Sequence, residues 1–210
     1  EWEARFEPNS YGFRPGRSTH DAIDAIYLSV NKNQKYVLDA DISKCFDRIN
    51  HDALLRKVGR TPYRRLIKQW LKCGVFDNKQ FSDTVEGTPQ GGVISPYRAN
   101  IALHGMEECL EKYAGTLPGE KAKNKLALSL IRYADDFVIL HKDIKVVLKA
   151  KAVIQEWLNQ VGLELKPEKT KIAHTLEEYN GNKPGFEFLG FNIRQYEVKT
   201  TKQGFKTLIK

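Results

Sequence analysis

The sequence predicts an α+β fold, and three stretches carry that prediction. Residues 36–42, Tyr-Val-Leu-Asp-Ala-Asp-Ile, alternate with a period of two and read as a short strand. Residues 130–140 set the Asp135-Asp136 pair between two apolar, β-prone runs, which reads as strand, tight turn, strand with the acids at the tip. Val146, Val147, Ala150, Val153, Ile154, Trp157, Leu158 and Val161 recur at three- and four-residue steps, marking an amphipathic helix that must cover a sheet.

The other elements follow in chain order. In residues 1–17, Pro8, Asn9, Gly12, Pro15 and Gly16 break any periodicity and leave a loop presenting Arg14 and Arg17. Ser18, three residues before Asp21, is the N-cap of a helix with Ala22, Ile23, Ile26, Tyr27 and Val30 on one side. After the 36–42 strand, residues 43–50 make a tight turn that includes Phe46. Helices over about 51–59 and 62–73 come next, the second opened by Pro62, and then a small hairpin over 75–85. Residues 87–96, Gly-Thr-Pro-Gln-Gly-Gly-Val-Ile-Ser-Pro, are the densest Gly and Pro stretch and lead into a helix over 96–113 with Ser95 as its N-cap. A polar connection spans 114–125, the acid-tipped hairpin 126–141, and Gly162 ends the long helix. Short strands over 163–165, 170–174 and 186–193 precede a basic hairpin over 196–209 that bends near Gly204.

With 210 residues, 41% of them hydrophobic, the chain holds one sizeable core and is not a disordered polymer. Lys and Arg outnumber Asp and Glu by 34 to 26, giving a net charge of +8, so an acidic partner is plausible. The excess is uneven: between residues 53 and 76, Arg56, Lys57, Arg60, Arg64, Arg65, Lys68 and Lys72 meet no acid, a composition suited to a phosphate backbone. Cys45, Cys73 and Cys109 are odd in number and form no C-x-x-C pair, which argues against a disulfide scaffold and a structural zinc site. No apolar run reaches membrane length and no leader opens the chain. The start at Glu1, without an initiator Met, reads as a piece cut from a longer protein.

Period two puts Asp39 and Asp41 on one face of their strand and Leu38 and Ala40 on the other. An isolated Asp-Asp pair reads first as a solvated turn, since Asp is a common turn residue. Carboxylates on the inner half of a strand, however, are costly unless paired or metal-bound. If the two strands are neighbours, Asp41, Asp135 and Asp136 form a sparse oxygen site suited to Mg²⁺, which takes one or two carboxylates plus substrate phosphates. The five histidines show no zinc-ligand spacing.

Three blocks carry a family resemblance: Tyr133-Ala134-Asp135-Asp136 between apolar strands, Asp39-Ala40-Asp41-Ile42-Ser43-Lys44-Cys45-Phe46-Asp47, and residues 87–96 between them. Together they resemble reverse transcriptases, most closely the group II intron-encoded kind. Residues 11–18, 162–171 and 186–191 are similar to further blocks of that family, so the resemblance spans nearly the whole chain.

The resemblance implies a right-hand polymerase palm, a ferredoxin-like antiparallel sheet with helices packed on one face, over 36–210. Residues 1–35 are then part of the fingers, with a small fingers-type hairpin near 75–86. It implies RNA-directed DNA polymerisation with two Mg²⁺ ions, Mn²⁺ substituting, held by Asp41, Asp135, Asp136 and the carbonyl of Ile42. Phe46 then closes against the sugar 2′ position, Gln90 lines the nucleotide pocket with the Pro89 and Gly91 backbone, and Lys169, in competition with Lys166, protonates the leaving pyrophosphate. Arg14 and Arg17 suit phosphate contact by their fork geometry. The implied partners are a template or intron RNA, a DNA primer and deoxynucleoside triphosphates, in a bacterial cytoplasm or organellar matrix. The upstream fingers blocks and a downstream thumb are expected on a longer chain, so activity of this segment alone is not implied. Two alternatives stand beside this reading: an RNA-binding maturase that aids splicing, and a reverse transcriptase of another retroelement or defence system.

Overall fold

The computed structural model describes residues 2–43, 45–72, 75–77, 80–82, 95–198 and 204–210. In chain order the elements are α1 (Thr19–Val30), β1 (Tyr36–Ser43), α2 (Cys45–Arg48), α3 (His51–Val58), α4 (Arg64–Lys72), β2 (Val75–Asp77), β3 (Gln80–Ser82), α5 (Ser95–Leu103) and α6 (Met106–Ala114). They continue with α7 (Lys121–Ala127), β4 (Ser129–Tyr133), β5 (Asp136–His141), α8 (Ile144–Asn159), β6 (Glu164–Leu165), β7 (Lys171–His174), β8 (Phe186–Phe188), β9 (Phe191–Glu197) and β10 (Phe205–Ile209).

The central sheet is antiparallel in the order β4-β5-β1. The far edge of β1 is shared, β7 pairing along residues 36–39 and β6 with Ile42 and Ser43. Alternation along these strands divides the apolar residues between two faces. Leu38, Ala40, Ile42, Leu130, Phe137 and Ile139 join the larger core with Val147, Ala150, Ile154 and Leu158 of α8 and with residues of α3, α5 and α6. Phe137 is fully buried there, and its truncation to Ala is expected to cost about 3–5 kcal/mol.

Helices cover both faces of the sheet, where one covered face was expected. Val37, Ile131, Val138 and Leu140 point the other way and pack on Ala22, Ile23, Ile26 and Val30 of α1, with Phe186, Phe188 and Ile193 from the β8-β9-β10 sheet. Those apolar side chains need cover from water as much as the first set does. The capping box of α1 forms as the sequence indicates, Ser18 Oγ accepting from the Asp21 N–H while the Asp21 carboxylate accepts from the Ser18 N–H.

Three further departures have physical causes. The helix expected over 96–113 is broken into α5 and α6 at Gly105, whose φ is +98°. Glu7 Oε1 accepts from the N–H groups of Gly105, Glu107 and Glu108 at 2.9–3.1 Å, capping α6 with a carboxylate from the N-terminal loop. Lys57 Nζ in turn donates to the carbonyls at the end of α5, those of Ala102 and, just past the helix, His104. The polar connection after residue 114 forms α7 in its second half, and that helix runs on to Ala127; it is built mainly from helix-forming Lys, Ala and Leu without a buried residue. The 186–193 strand is a hairpin, because Leu189 and Gly190 both take positive φ (+53° and +82°), the signature of a tight two-residue turn.

Candidate active site

Antiparallel register places Asp41 directly opposite Asp136 across β1 and β5. Opposed residues share a face, with Cα atoms about 5 Å apart, so both carboxylates stand at one end of the face that α1 covers elsewhere. The turn between β4 and β5 is Ala134-Asp135, with Ala134 at φ +58°. The Ile42 N–H donates to the Asp135 carbonyl at 3.2 Å, fastening the turn to β1. Two strands and one turn thereby gather the three expected acids.

A fourth expected residue joins them. The Lys166 N–H donates to the Asp41 carbonyl at 2.8 Å, and the short 3-10 turn Pro167–Lys169 then carries Lys169 Nζ to 2.5 Å from Asp41 Oδ2. That pairing raises the Lys169 pKa. The Asp135 carboxyl is pushed up chiefly by burial and then by the charge of Asp41; Asp136 is pushed up by burial and by Asp135 and Asp41. On the same face Asp39 is pushed up to about 6 by burial and by Asp136, with Lys171 opposite it on β7.

The donor set fits a hard divalent cation: three neighbouring carboxylates, two of them with pKa values raised by burial and by their neighbours' charge, plus main-chain oxygen nearby. Among the described residues, no group of three or more His, Cys, Asp or Glu is already arranged around a metal position. Asp41 is engaged by the Lys169 ammonium instead.

Other expected residues lie elsewhere. Arg14 turns inward: its guanidinium donates to the Glu3 carboxylate at 2.8 Å and to the carbonyls of Glu3, Glu7 and Ser10, and its side chain is 6% exposed. With those donors committed, Arg14 ties the N-terminal loop together from within, where the sequence reading expected the loop to present it outward. Arg17 donates to the Pro8 carbonyl and lies over the Tyr11 ring. Phe46 lies in α2, its side chain beyond what is described, and Pro89, Gln90 and Gly91 lie outside the described residues. Of the basic run, Arg56, Arg60, Arg65, Lys68 and Lys72 are exposed, whereas Arg64 caps the end of α3 through the Leu55 and Gly59 carbonyls.

A cluster that sequence reading missed lies under the acids. The Arg132 side chain is fully buried on β4, and Asn100 of α5 and Ser10 of the N-terminal loop meet its guanidinium. The signal for it was a lone cation inside an apolar strand beside the Asp pair.

Residues 1–193 match the family model described as reverse transcriptase (RNA-dependent DNA polymerase), and the chain belongs to that family. It is 32% identical over 225 residues to Protein YkfC of Escherichia coli (strain K12), covering 91% of this chain and 56% of that protein. It is 30% identical over 265 residues to the group II intron-encoded protein LtrA of Lactococcus lactis subsp. cremoris, covering 98% of this chain and 42% of that protein. The chain therefore spans about half the length of these relatives. Its fold is similar to that of apo telomerase from Candida tropicalis truncated from the C-terminal domain, with a TM-score of 0.68 at 18% identity over 89% of this chain and 39% of that one. The fold is thus a right-hand polymerase fold and the chain a reverse transcriptase domain, of a family that generally uses divalent metal ions. No described helix is long and apolar enough to cross a membrane.

Proposed function

We propose that this domain carries the catalytic acids for RNA-directed DNA synthesis in a group II intron-encoded protein, joining a deoxynucleotide to a primer 3′-hydroxyl on an RNA template. The observation that carries the reading is the cross-strand pairing of Asp41 with Asp136 beside the pinned Asp135 turn. Asp41, Asp135 and Asp136, with the Ile42 carbonyl, would hold two Mg²⁺ ions, or Mn²⁺ in their place. When bound, such ions supply an activated hydroxyl and charge stabilisation at the leaving pyrophosphate.

The chain's own residues then have distinct tasks. The β1-β5 pairing fixes the spacing of the acids, and Lys169 neutralises Asp41. Its ammonium would deliver a proton to the pyrophosphate oxygen as the Pα–O bond to pyrophosphate breaks and the 3′-O–Pα bond forms, the proton of the 3′-hydroxyl leaving to solvent. By the family resemblance, Phe46 screens the sugar 2′ position and Gln90, Pro89 and Gly91 line the nucleotide pocket. Residues 1–35 belong to the fingers and 36–210 to the palm. The exposed cations Arg56, Arg60, Arg65, Lys68 and Lys72 suit template or intron RNA, which also supports a splicing role in the same protein. A cytoplasmic or organellar-matrix setting suits these partners.

Asp135→Asn and Asp41→Asn in the full-length protein test the reading. Primer extension on RNA with Mg²⁺ is expected to fall at least ~10³-fold, an electrostatic loss of about 4 kcal/mol in the transition state, with RNA affinity within about threefold of the parent. Normal extension by either variant sinks the proposal.

A further inference from the structure

We propose that Arg132 and Asn100 are positioning residues that set the catalytic turn from beneath; this deepens the polymerase reading and rests on it. Arg132 Nη1 donates to the Ala134 carbonyl at 2.9 Å and to Asn100 Oδ1 at 3.1 Å, and Nη2 donates to Ser10 Oγ at 2.6 Å. The residue is 1% exposed, and no ion pair joins it to a carboxylate among the described residues. Among the described residues its buried Nε has no hydrogen-bond partner.

A guanidinium taken out of water with no carboxylate at ion-pair distance among the described residues, Glu7 acting on it only from further away, and with one idle donor is costly. A Leu or Met of similar size would pack the same space without that penalty. What Arg132 supplies, and an apolar residue cannot, is a fixed donor aimed at the Ala134 carbonyl. Ala134 has φ +58°, a conformation strained for a non-glycine residue that persists when its surroundings over-determine it. Arg132 holds the carbonyl just before Asp135, and the Ile42 N–H holds the carbonyl of Asp135 itself. Both peptide groups flanking the Asp135 Cα are therefore fixed, and with them the direction in which its carboxylate leaves the chain.

Asn100 extends the support to two other segments. Its amide donates to the Gly12 carbonyl at 2.8 Å while its oxygen accepts from Arg132. The Arg132 N–H donates to Asn9 and its carbonyl accepts from Tyr11, both at 2.9 Å, so residues 9–12 run along the outer edge of β4. The N-terminal loop, α5 and the catalytic hairpin thus meet at one buried, polar point.

The test compares Arg132→Met, Arg132→Lys and Asn100→Ala with Asp135→Asn in the full-length protein, by primer extension over a Mg²⁺ titration with folding followed by circular dichroism. Arg132→Met is expected to lower kcat about 30-fold and raise the Mg²⁺ concentration for half-maximal rate several-fold, with KM for template-primer unchanged. Arg132→Lys, which keeps one donor, recovers part of the loss, and Asn100→Ala loses about fivefold in kcat with the same shift in Mg²⁺ requirement. If Asp135→Asn is inactive but the Arg132 and Asn100 variants fold and match the parent in kcat and Mg²⁺ requirement, the positioning role is overturned and the polymerase reading stands. An active Asp135→Asn variant overturns both. Where Arg132→Met does not fold, Asn100→Ala decides: parental kcat and Mg²⁺ requirement refute the proposal.

Discussion

Gly12→Ala is a one-methyl probe of the catalytic turn. A Cβ at residue 12 would lie 2.3 Å from the Ala134 nitrogen, 2.9 Å from the Tyr133 carbonyl carbon and 3.0 Å from the Ala134 Cα, all backbone atoms. Ordinary contact begins near 3.4 Å, so the loop or the turn must move by about 1 Å, with an overpacking cost of about 1–3 kcal/mol. The hydrogen bonds of residues 9–12 to Arg132 and of Gly12 to Asn100 resist movement of the loop, so part of the displacement passes to Ala134 and Asp135. A misplacement of about 1 Å at a reacting centre costs on the order of 10²-fold in rate. Single-turnover extension with template-primer and nucleotide saturating isolates that step, and thermal unfolding measures the strain separately. The expected result is a fall in rate of 10- to 100-fold with a modest drop in Tm. A variant with parental rate and parental Tm would show that the contact yields freely, and the reasoning from close approach would be wrong.

Two further perturbations separate catalysis from stability. Lys169→Met removes the 2.5 Å pair with Asp41, but the lysine side chain is 57% exposed, so Tm is expected to move little, within about 1 kcal/mol. Extension should slow by ~10²-fold and the general-acid limb of the pH–rate profile should vanish; an unchanged profile removes Lys169 from the chemistry. Lys35 is buried, donates to Ser29 Oγ and the Ala127 carbonyl, and has its pKa lowered from 10.5 to about 8 by burial. Between pH 8 and 10.5 the unfolded chain holds a proton that the folded chain has released, so the Lys35 contribution raises stability with pH there, by up to about 3 kcal/mol. Lys35→Met should therefore unfold at higher denaturant than the parent at pH 7, and the difference should shrink towards pH 10. A difference independent of pH would refute the assignment.

How legible the site was depends on whether its residues signal locally. Asp41, Asp135 and Asp136 showed through because strand alternation and a turn flanked by apolar runs are local patterns. Their union needed the register of β1 with β5, which the sequence implies only if the strands are neighbours. Lys169 stood out by family resemblance; its reach to Asp41 depends on the Lys166 backbone bond that swings the 3-10 turn over β1. Arg14 misled because an arginine in a Gly- and Pro-rich loop looks solvent-facing, while the loop folds back and supplies its own carbonyls as acceptors. The role of Arg132 and Asn100 was hidden for a related reason, although the lone cation in an apolar strand marked the place. Their partners come from segments about 30 to 120 residues away, and no local period encodes such a meeting. The broken 96–113 helix was signalled by Gly105, but its cap at Glu7 was not.

The acids' position follows from the same alternation that builds the core. On β1, Val37, Asp39 and Asp41 share one face, and on β5, Leu140, Val138 and Asp136 lie opposite them in turn. Moving along that face, an apolar pair under α1 gives way to a mixed pair and then to two carboxylates. Asp39, half-buried with its carboxyl pushed up to about 6, marks the boundary. A shift of register by one residue would turn Asp41 into the core against α8 and carry Leu38 and Ile42 to the face that holds the acids, so the core that fixes the register also fixes the site. The price of keeping charge at the edge of that core is visible in the raised pKa of each hairpin acid, and a divalent cation that stabilises the charged form would reverse it.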